Sequence, residues 1–306
     1  MTRHIFANFV TDFGTAANNR GETEGNTTTL QKLIWKGQVH TTVSAEAIRF
    51  ALRRLLATHE ETNRSWNENS RQNDWKDENF EHWTKAKGPA FIDDDLLGFM
   101  SAKAASSEES KAGTADVRRA VLEVTRAVSL TPWPGDTTFN AASPGATPSA
   151  AKPSAAKKGT NPVPYGAEIH ATRYQYGIAM TPDRLREPSR ANVALKALSA
   201  IRTVAGNHGR FLFDFSPAAV VYRITDDPAP RLLYCFETHD SGASLDAPQL
   251  LRRVQCGDID AAELVVGGEL SGTRTGDALK AAGADVHAGI KFATEAACKR
   301  LASLPA

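Results

Sequence analysis

Residues 4–56 constrain this chain more than any other stretch, because they order a strand, a polar loop, a basic segment and a helix in turn. His4-Ile5-Phe6-Ala7-Asn8-Phe9-Val10 has the β-branched and aromatic content of a strand. It gives way to a loop carrying Gly14, Asn18, Asn19, Arg20, Gly21, Gly25 and Asn26, which is rich in groups able to grip phosphate. Ser44 stands where a helix N-cap belongs, and Ile48, Ala51, Leu52, Leu55 and Leu56 follow at the spacing that lines one helical face. Arg49 and Arg53, one turn apart, fall on a neighbouring face and hold two positive charges together.

At 306 residues the chain can bury a sizeable core in one large domain with insertions, or in two. Its 41% hydrophobic and 23% charged residues are those of soluble globular material. No apolar run approaches the roughly 20 residues of a membrane helix, and Met1-Thr2-Arg3-His4 lacks a signal-peptide core. A cytoplasmic protein without membrane contact is expected. Cys235, Cys256 and Cys298 are far apart and form no CxxC pair, so they read as reduced thiols without a zinc site. A net charge of +1 does not announce a nucleic-acid binder, but its distribution is uneven. Up to residue 54 there are seven Lys/Arg against four Asp/Glu, while 60–81 and Asp93–Asp95 supply opposing charge. A basic groove beside acidic flanks suits a subunit that meets phosphate on one surface and packs on another.

Residues 58–90 are polar and carry Trp66, Trp75 and Trp83, which reads as an inserted helical or irregular subdomain. The tryptophans either stack on bases or, more simply, pin the insertion onto its parent domain. Asp93-Asp94-Asp95 could serve a magnesium ion, yet consecutive acids cannot all face one metal from a regular element, and a solvated loop or helix start is the simpler expectation. Val117, Val121, Val124 and Val128 have helical spacing and strand-forming side chains, and periodicity does not separate the two. Between Thr131 and Pro164, prolines alternate with Ala, Ser and Gly, and Lys152, Lys157 and Lys158 lie among them. This cannot be core. Because Val128–Trp133 and Tyr165–Met180 on either side are strand-like, the segment reads as the long tip of an extended hairpin rather than an interdomain linker.

The return strand places His170, Thr172, Tyr174 and Tyr176 on one side and Ile169, Ala171 and Arg173 on the other, which fits a nucleic-acid platform and a half-exposed sheet equally. A second helix is expected over Ser189–Gly206, then strands at Arg210–Phe215, Ala219–Ile224 and Arg231–Glu237, and a closing helix at Lys291–Leu301. Strand, helix, strand, strand, helix with insertions is the ferredoxin-like pattern, an α+β fold. Gly267–Gly276 has the glycine offset of a phosphate loop, but the lysine after the second glycine is missing, which argues against an ATPase. Either its amides and Arg274 approach phosphate, or it is a plain surface loop before the last helix. The eight histidines are scattered, and neither a catalytic triad nor a metal motif can be assembled.

Asn8-Phe9-Val10-Thr11-Asp12-Phe13-Gly14, Asn18-Asn19-Arg20-Gly21-Glu22, Lys36-Gly37-Gln38-Val39-His40 and Ser44 through Ala51-Leu52-Arg53 together resemble the N-terminal region of the Cas-seven proteins, and more closely the DevR-like group of type I-B CRISPR systems. The likeness continues more loosely through Asp93–Met100, Thr131–Asp136 and Gly267–Gly276. It implies a ferredoxin-like or RRM-like palm with an inserted helical subdomain and a protruding β-hairpin thumb. In that scheme 1–57 begin the palm and 58–116 are the inserted finger. Residues 117–180 hold a strand and the thumb, its tip at about 141–164, and 181–306 complete the palm.

The same resemblance implies a backbone subunit of Cascade that holds CRISPR RNA along a helical filament, without enzymatic activity or cofactor. Implied partners are the guide RNA, target DNA through the guide, other copies of the chain, and Cas-five, Cas-eight-type and Cas-six-type proteins. Arg20, Lys36, Arg49 and Arg53 would neutralise guide phosphates, with Asn18 and Asn19 in the same loop, and Gln38, His40, Thr42 and Ser44 would bond the backbone or 2′-hydroxyls. Trp133, Lys157 and Lys158 on the thumb, with Arg173 and Arg274, complete the expected set. Three rivals stay open: a metal-dependent RNA-cleaving relative using Asp12 or Asp93–Asp95, a regulatory protein that binds no RNA, and the same subunit in a transposon-associated Cascade that directs DNA insertion.

Overall fold

The computed structural model describes residues 2–17, 23–102, 115–142, 162–204 and 212–303. Its centre is the strand His4–Thr11, whose alternation sends Ile5, Ala7 and Phe9 to one core and Phe6 and Val10 to another. It pairs antiparallel with Tyr174–Met180 on one side and Pro217–Thr225 on the other. Beyond Tyr174–Met180 come Leu122–Val124 and Ala127–Ser129, then Gln38–Val43 and the edge strand Lys32–Trp35. Beyond Pro217–Thr225 come antiparallel Leu264–Gly268 and parallel Asp285–His287, closing a nine-stranded sheet.

The described helices are α1 (Ala45–Leu56), α2 (Glu81–Thr84), α3 (Ile92–Leu97), α4 (Arg190–Ser199), α5 (Pro248–Gln255), α6 (Arg274–Ala281) and α7 (Ile290–Ser303). Residues of α1, α3, α4 and α7 fill the core on one face of the sheet, and Leu250 of α5 and Leu279 of α6 fill the other. Burial on both faces explains why the central strand reads as a nearly unbroken apolar run. Phe9 stacks on Tyr176 at 5.2 Å and meets Tyr222 edge-on at 5.8 Å, while the Tyr222 hydroxyl bonds Thr294 at 2.8 Å. None of the described helices is long and apolar enough to cross a membrane.

A smaller sheet sits beside the first. Val163–Thr172 pairs antiparallel with Thr137–Ala142 and with Gly14–Ala17, and parallel with Thr27–Thr28. The expected return strand is thus two strands broken at Arg173, the first in this sheet and the second in the main one. His170, Thr172, Tyr174 and Tyr176 are all buried, so neither an exposed platform nor a half-exposed face is found there.

Other expectations are corrected. The insertion after α1, expected as helical or irregular, also carries short strands: a hairpin of Arg64–Asn67 and Gln72–Trp75 and a ribbon of Phe99–Ala102 and Ala115–Arg118 join the short α2 and α3 and irregular chain. Asn67 Oδ1 accepts the Asn69 and Ser70 amides and so shapes the hairpin turn. Trp83 lies between the Arg118 and Arg186 guanidinium groups at 3.8 and 3.6 Å, pinning the insertion to its parent domain. The second helix stops at Ser199, and Ser189 makes no capping bond. Residues 212–215 form no strand, and neither does Arg231–Phe236. The latter is held instead by buried side chains of the sheet: Asn8 accepts the Tyr234 amide, and Gln175 bonds the amide and carbonyl of Phe236.

The segment Gly267–Gly276 is not a loop before the last helix. It ends a strand, forms a short turn and starts α6, which Thr273 caps through the Gly276 amide. Its glycines answer packing: a Cβ at Gly268, where φ is 81°, would stand 2.0 Å from the Ala218 carbonyl, and one at Gly276 would stand 2.1 Å from that of Leu270.

Candidate nucleic-acid interface

Apart from Arg49 and Arg53 on α1, the expected contact residues fall into three groups. Asn18, Asn19, Arg20, Lys157 and Lys158 lie outside the described residues. Lys36, Gln38 and Arg274 are exposed. Lys36 and Gly37 form a two-residue turn with positive φ at both positions, the geometry of a tight hairpin, although lysine seldom adopts it. The turn holds the Lys36 ammonium in solvent, with its side chain 70% exposed and Glu237 4.0 Å away.

The third group is committed to the protein itself. His40 is buried, and its Nδ1 lies 2.7 Å from the Ser129 carbonyl. Thr42 is buried and accepts Arg126 at 3.1 Å. Ser44 caps α1, accepting the Ala47 amide at 3.2 Å. Trp133 donates Nε1–H to the Ile169 carbonyl at 2.9 Å and carries Lys32 over its ring at 4.2 Å, a strut where the smaller sheet meets the larger. Arg173 is buried, 3.0 Å from Glu269 and 3.6 Å from Asp12, and donates to the carbonyls of Thr11 and Gly242. These groups are spent on interior partners, which a pattern of alternating side chains cannot reveal. His170 is similarly enclosed beside Thr41 and Thr131, and burial holds its pKa down at about 4.

The acidic triplet is a helix start, as expected, but it is not solvated. Asp93, Asp94 and Asp95 are 2, 4 and 0% exposed in α3 and diverge by helical geometry. Asp93 accepts the Asn63 and Arg64 amides and Arg53 Nε at 3.0 Å. Asp95 accepts Arg118, Arg190 and the amides of Arg186 and Glu187. Asp94 accepts Asn63 Nδ2 at 3.0 Å, and burial followed by the charge of Asp93 raises its pKa to about 7. Among the described residues no three His, Cys, Asp or Glu are grouped to hold a metal ion.

What the fold does assemble is a line of cations along α1. Arg126 and Arg49 both flank Glu46, whose pKa is lowered by a backbone hydrogen bond, by Ser44 and by these two charges. Arg49 donates to the Leu97 carbonyl, and burial and then Arg53 lower its pKa. Arg49 and Arg53 open onto a cavity of about 710 Å³ between α1, the inserted hairpin and the Phe99–Arg118 ribbon. Arg64, Arg118 and Arg119 line it as well. Arg64 and Arg126 are residues that sequence reasoning missed. Arg64 is a single cation on a short strand and Arg126 one between two short strands, and only their nearness to α1 marks them.

Comparison with known proteins identifies the family and the fold. The family model described as "CRISPR-associated negative auto-regulator DevR/Csa2" matches residues 11–255. The curated "CRISPR-associated protein Cas7/Cst2/DevR" of Myxococcus xanthus (strain DK1622) is 60% identical over 303 residues, covering 98% of each chain. Among solved structures, a chain of a "CRISPR RNA-guided surveillance complex, pre-nicking" aligns with TM-score 0.57 at 12% identity, covering 97% of this chain and 100% of that one. A chain of a "CRISPR RNA-guided surveillance complex" gives 0.56 at 13%, covering 97% and 99%. At that identity the likeness is one of fold.

Proposed function

The chain belongs to the CRISPR-associated DevR/Csa2 family, and from that premise we propose that it is the guide-RNA-binding backbone subunit of a type I-B Cascade effector. Copies line up along the CRISPR RNA, and the guide, not the protein, reads the target DNA by base pairing. The observation that carries this reading is the line of cations Arg126, Arg49 and Arg53 along α1, of which Arg49 and Arg53 open on a cavity, together with the exposed Lys36 and Gln38. Charge in such a line is suited to gripping a sugar-phosphate backbone whatever its sequence.

A ferredoxin-like palm is supported by the strand order Pro217–Thr225, His4–Thr11, Tyr174–Met180, Leu122–Val124, with α1 and α4 on one face. A thumb is supported by the antiparallel pairing of Thr137–Ala142 with Val163–Thr172, whose intervening tip lies outside the described residues. The role is binding rather than catalysis. Both oxygens of Asp93 and of Asp95 are taken by interior donors, and Asp12 faces Arg173, so the carboxylates weighed for RNA cleavage have other partners.

Purification with its partner subunits, followed by extraction and sequencing of the bound nucleic acid, tests the reading. Repeat-derived RNAs with varied middle sequences are expected. Random cellular RNA, or none, would overturn it and favour the regulatory alternative.

A further inference from the structure

The three consecutive carboxylates of α3 are unequally provided for. Asp93 bonds Arg53 Nε and two backbone amides, and Asp95 bonds Arg118, Arg190 and two further amides. Asp94, 4% exposed, accepts Asn63 Nδ2 at 3.0 Å, and among the described residues no cation hydrogen-bonds or ion-pairs with its carboxyl group. Asn63 ties it to two other acids, because its amide donates to Asp93 and its side chain bonds the amide and carbonyl of Asp77. A buried carboxyl with one neutral donor and acidic neighbours favours its uncharged form. Burial first and the charge of Asp93 second set its pKa at about 7.

Asp94 is also part of the wall of the cavity beside α1. Into that space α1 brings Glu46, Arg49 and Arg53, and the inserted hairpin brings Arg64. The end of the Phe99–Arg118 ribbon and the chain after it bring Arg118, Arg119 and Glu123. Asp77, from the chain after the hairpin, adds its negative charge to that of Asp93, while His82, whose amide bonds Asp77, stacks its ring on Phe91. Five guanidinium groups thus line the cavity with three carboxylates, and with a fourth only when Asp94 is ionised. The guanidinium groups hold their charge throughout the neutral range. Glu46, its pKa lowered chiefly by a backbone hydrogen bond, stays ionised there. Arg53 and Arg64 both feel the charge of Asp94, yet Arg53 Nη1 and Arg64 Nε are buried without a hydrogen-bond partner.

We propose that Asp94 is a proton-operated counter-charge: protonated, it leaves the cavity arginines to an anionic strand, and ionised, it competes with that strand for them. The inference rests on the nucleic-acid-binding reading above and adds its regulation by pH. A bound polyanion favours the protonated carboxyl, so binding takes up a proton from water, and affinity falls as pH rises through neutrality. The device needs no movement of the chain, because adding or removing one proton changes the charge of a space already formed.

The test compares the full wild-type chain with Asp94→Asn, a neutral isostere that still accepts from Asn63, in binding single-stranded RNA of mixed sequence at about pH 6 and about pH 8, in about 100 mM salt. Wild-type affinity is expected to fall roughly tenfold between the two, and Asp94→Asn to hold its affinity at both. Histidines elsewhere titrate alike in the two proteins, so the difference between their profiles reads Asp94 alone, and a merely structural role would shift both pH points equally. Carbon-13 NMR titration of the wild-type Asp94 carboxyl decides the matter where Asp94→Asn does not fold, with a midpoint near neutrality expected. Parallel pH profiles for the two proteins, or a carboxyl that titrates near the ordinary aspartate value of 3.8, overturn the counter-charge alone. Absence of wild-type RNA binding at both pH values overturns the functional reading and the counter-charge together.

Discussion

The two flanks of α3 hold arginines in opposite circumstances. On the Asp95 side, Arg190 donates to Glu60 at 2.7 and 2.9 Å, to Asp95 at 3.1 Å and to the Ala90 carbonyl at 2.8 Å, and Arg118 reaches Asp95 at 2.8 Å. Although burial is the largest influence on Arg190, Glu60 and Asp95 outweigh it and raise its pKa. On the Asp93 side, Arg49, Arg53 and Arg64 lie near Asp93, bonded to Arg53 Nε and two backbone amides, and near Asp94, bonded to Asn63, while Arg53 Nη1 and Arg64 Nε find no hydrogen-bond partner. Residue type and burial are alike on both flanks. The ratio of acceptors to donors separates the closed charge network of the Asp95 flank from the incompletely bonded one of the Asp93 flank.

This contrast can be broken by stability measurements. The largest effect is expected for Asp95→Ala, which strips Arg190 and Arg118 of a fully buried partner and should cost about 3–5 kcal/mol in denaturant unfolding. A loss below about 1 kcal/mol would mean that the Asp95 flank is no better knit than the other. Next comes Asp94→Asn. The folded protein takes up a proton on Asp94 near pH 7, whereas the unfolded chain does so near the ordinary aspartate value of 3.8. Between those values the folded state binds more protons, so wild-type stability rises as pH falls. Asparagine removes that dependence, giving a gain of roughly 1–3 kcal/mol at about pH 8 that fades by about pH 4. A flat difference across that range would show Asp94 titrating normally.

Smaller still, Ser44→Ala should cost about 1 kcal/mol by uncapping α1, a plain structural loss against which the cavity variants are judged. Lys36→Ala, at an exposed side chain 4.0 Å from Glu237, should change stability by less than about 0.5 kcal/mol while weakening RNA binding. A stability loss comparable to that of Asp95→Ala would move Lys36 into the structural class.

The sheet and its helices were legible where one local rule acted alone. The His4–Thr11 strand, α1 behind its Ser44 cap, the Pro217–Thr225 strand and α7 all follow from side-chain pattern within a few residues. Legibility failed where tertiary partners replaced local ones. Arg231–Phe236 has strand composition, yet Asn8 and Gln175 satisfy its backbone. The acidic triplet reads as solvated because its partners Arg118 and Arg190 are 23 and 95 residues away. In the site, α1 announced Arg49 and Arg53 by helical spacing, but nothing local marks Arg64. The glycines of Gly267–Gly276 suggested phosphate for a similar reason: close backbone approach and ligand approach leave the same trace in sequence.

The pairing of His4–Thr11 with strands that begin at residues 174 and 217 also bears on how the chain is made. A ribosome working at about 5–20 residues per second leaves that segment without its second neighbour for roughly 10–40 s. Two apolar surfaces on one ribbon stand uncovered through that interval, the state in which chains adhere to one another. Covering those surfaces therefore waits on the synthesis of residues 174–225.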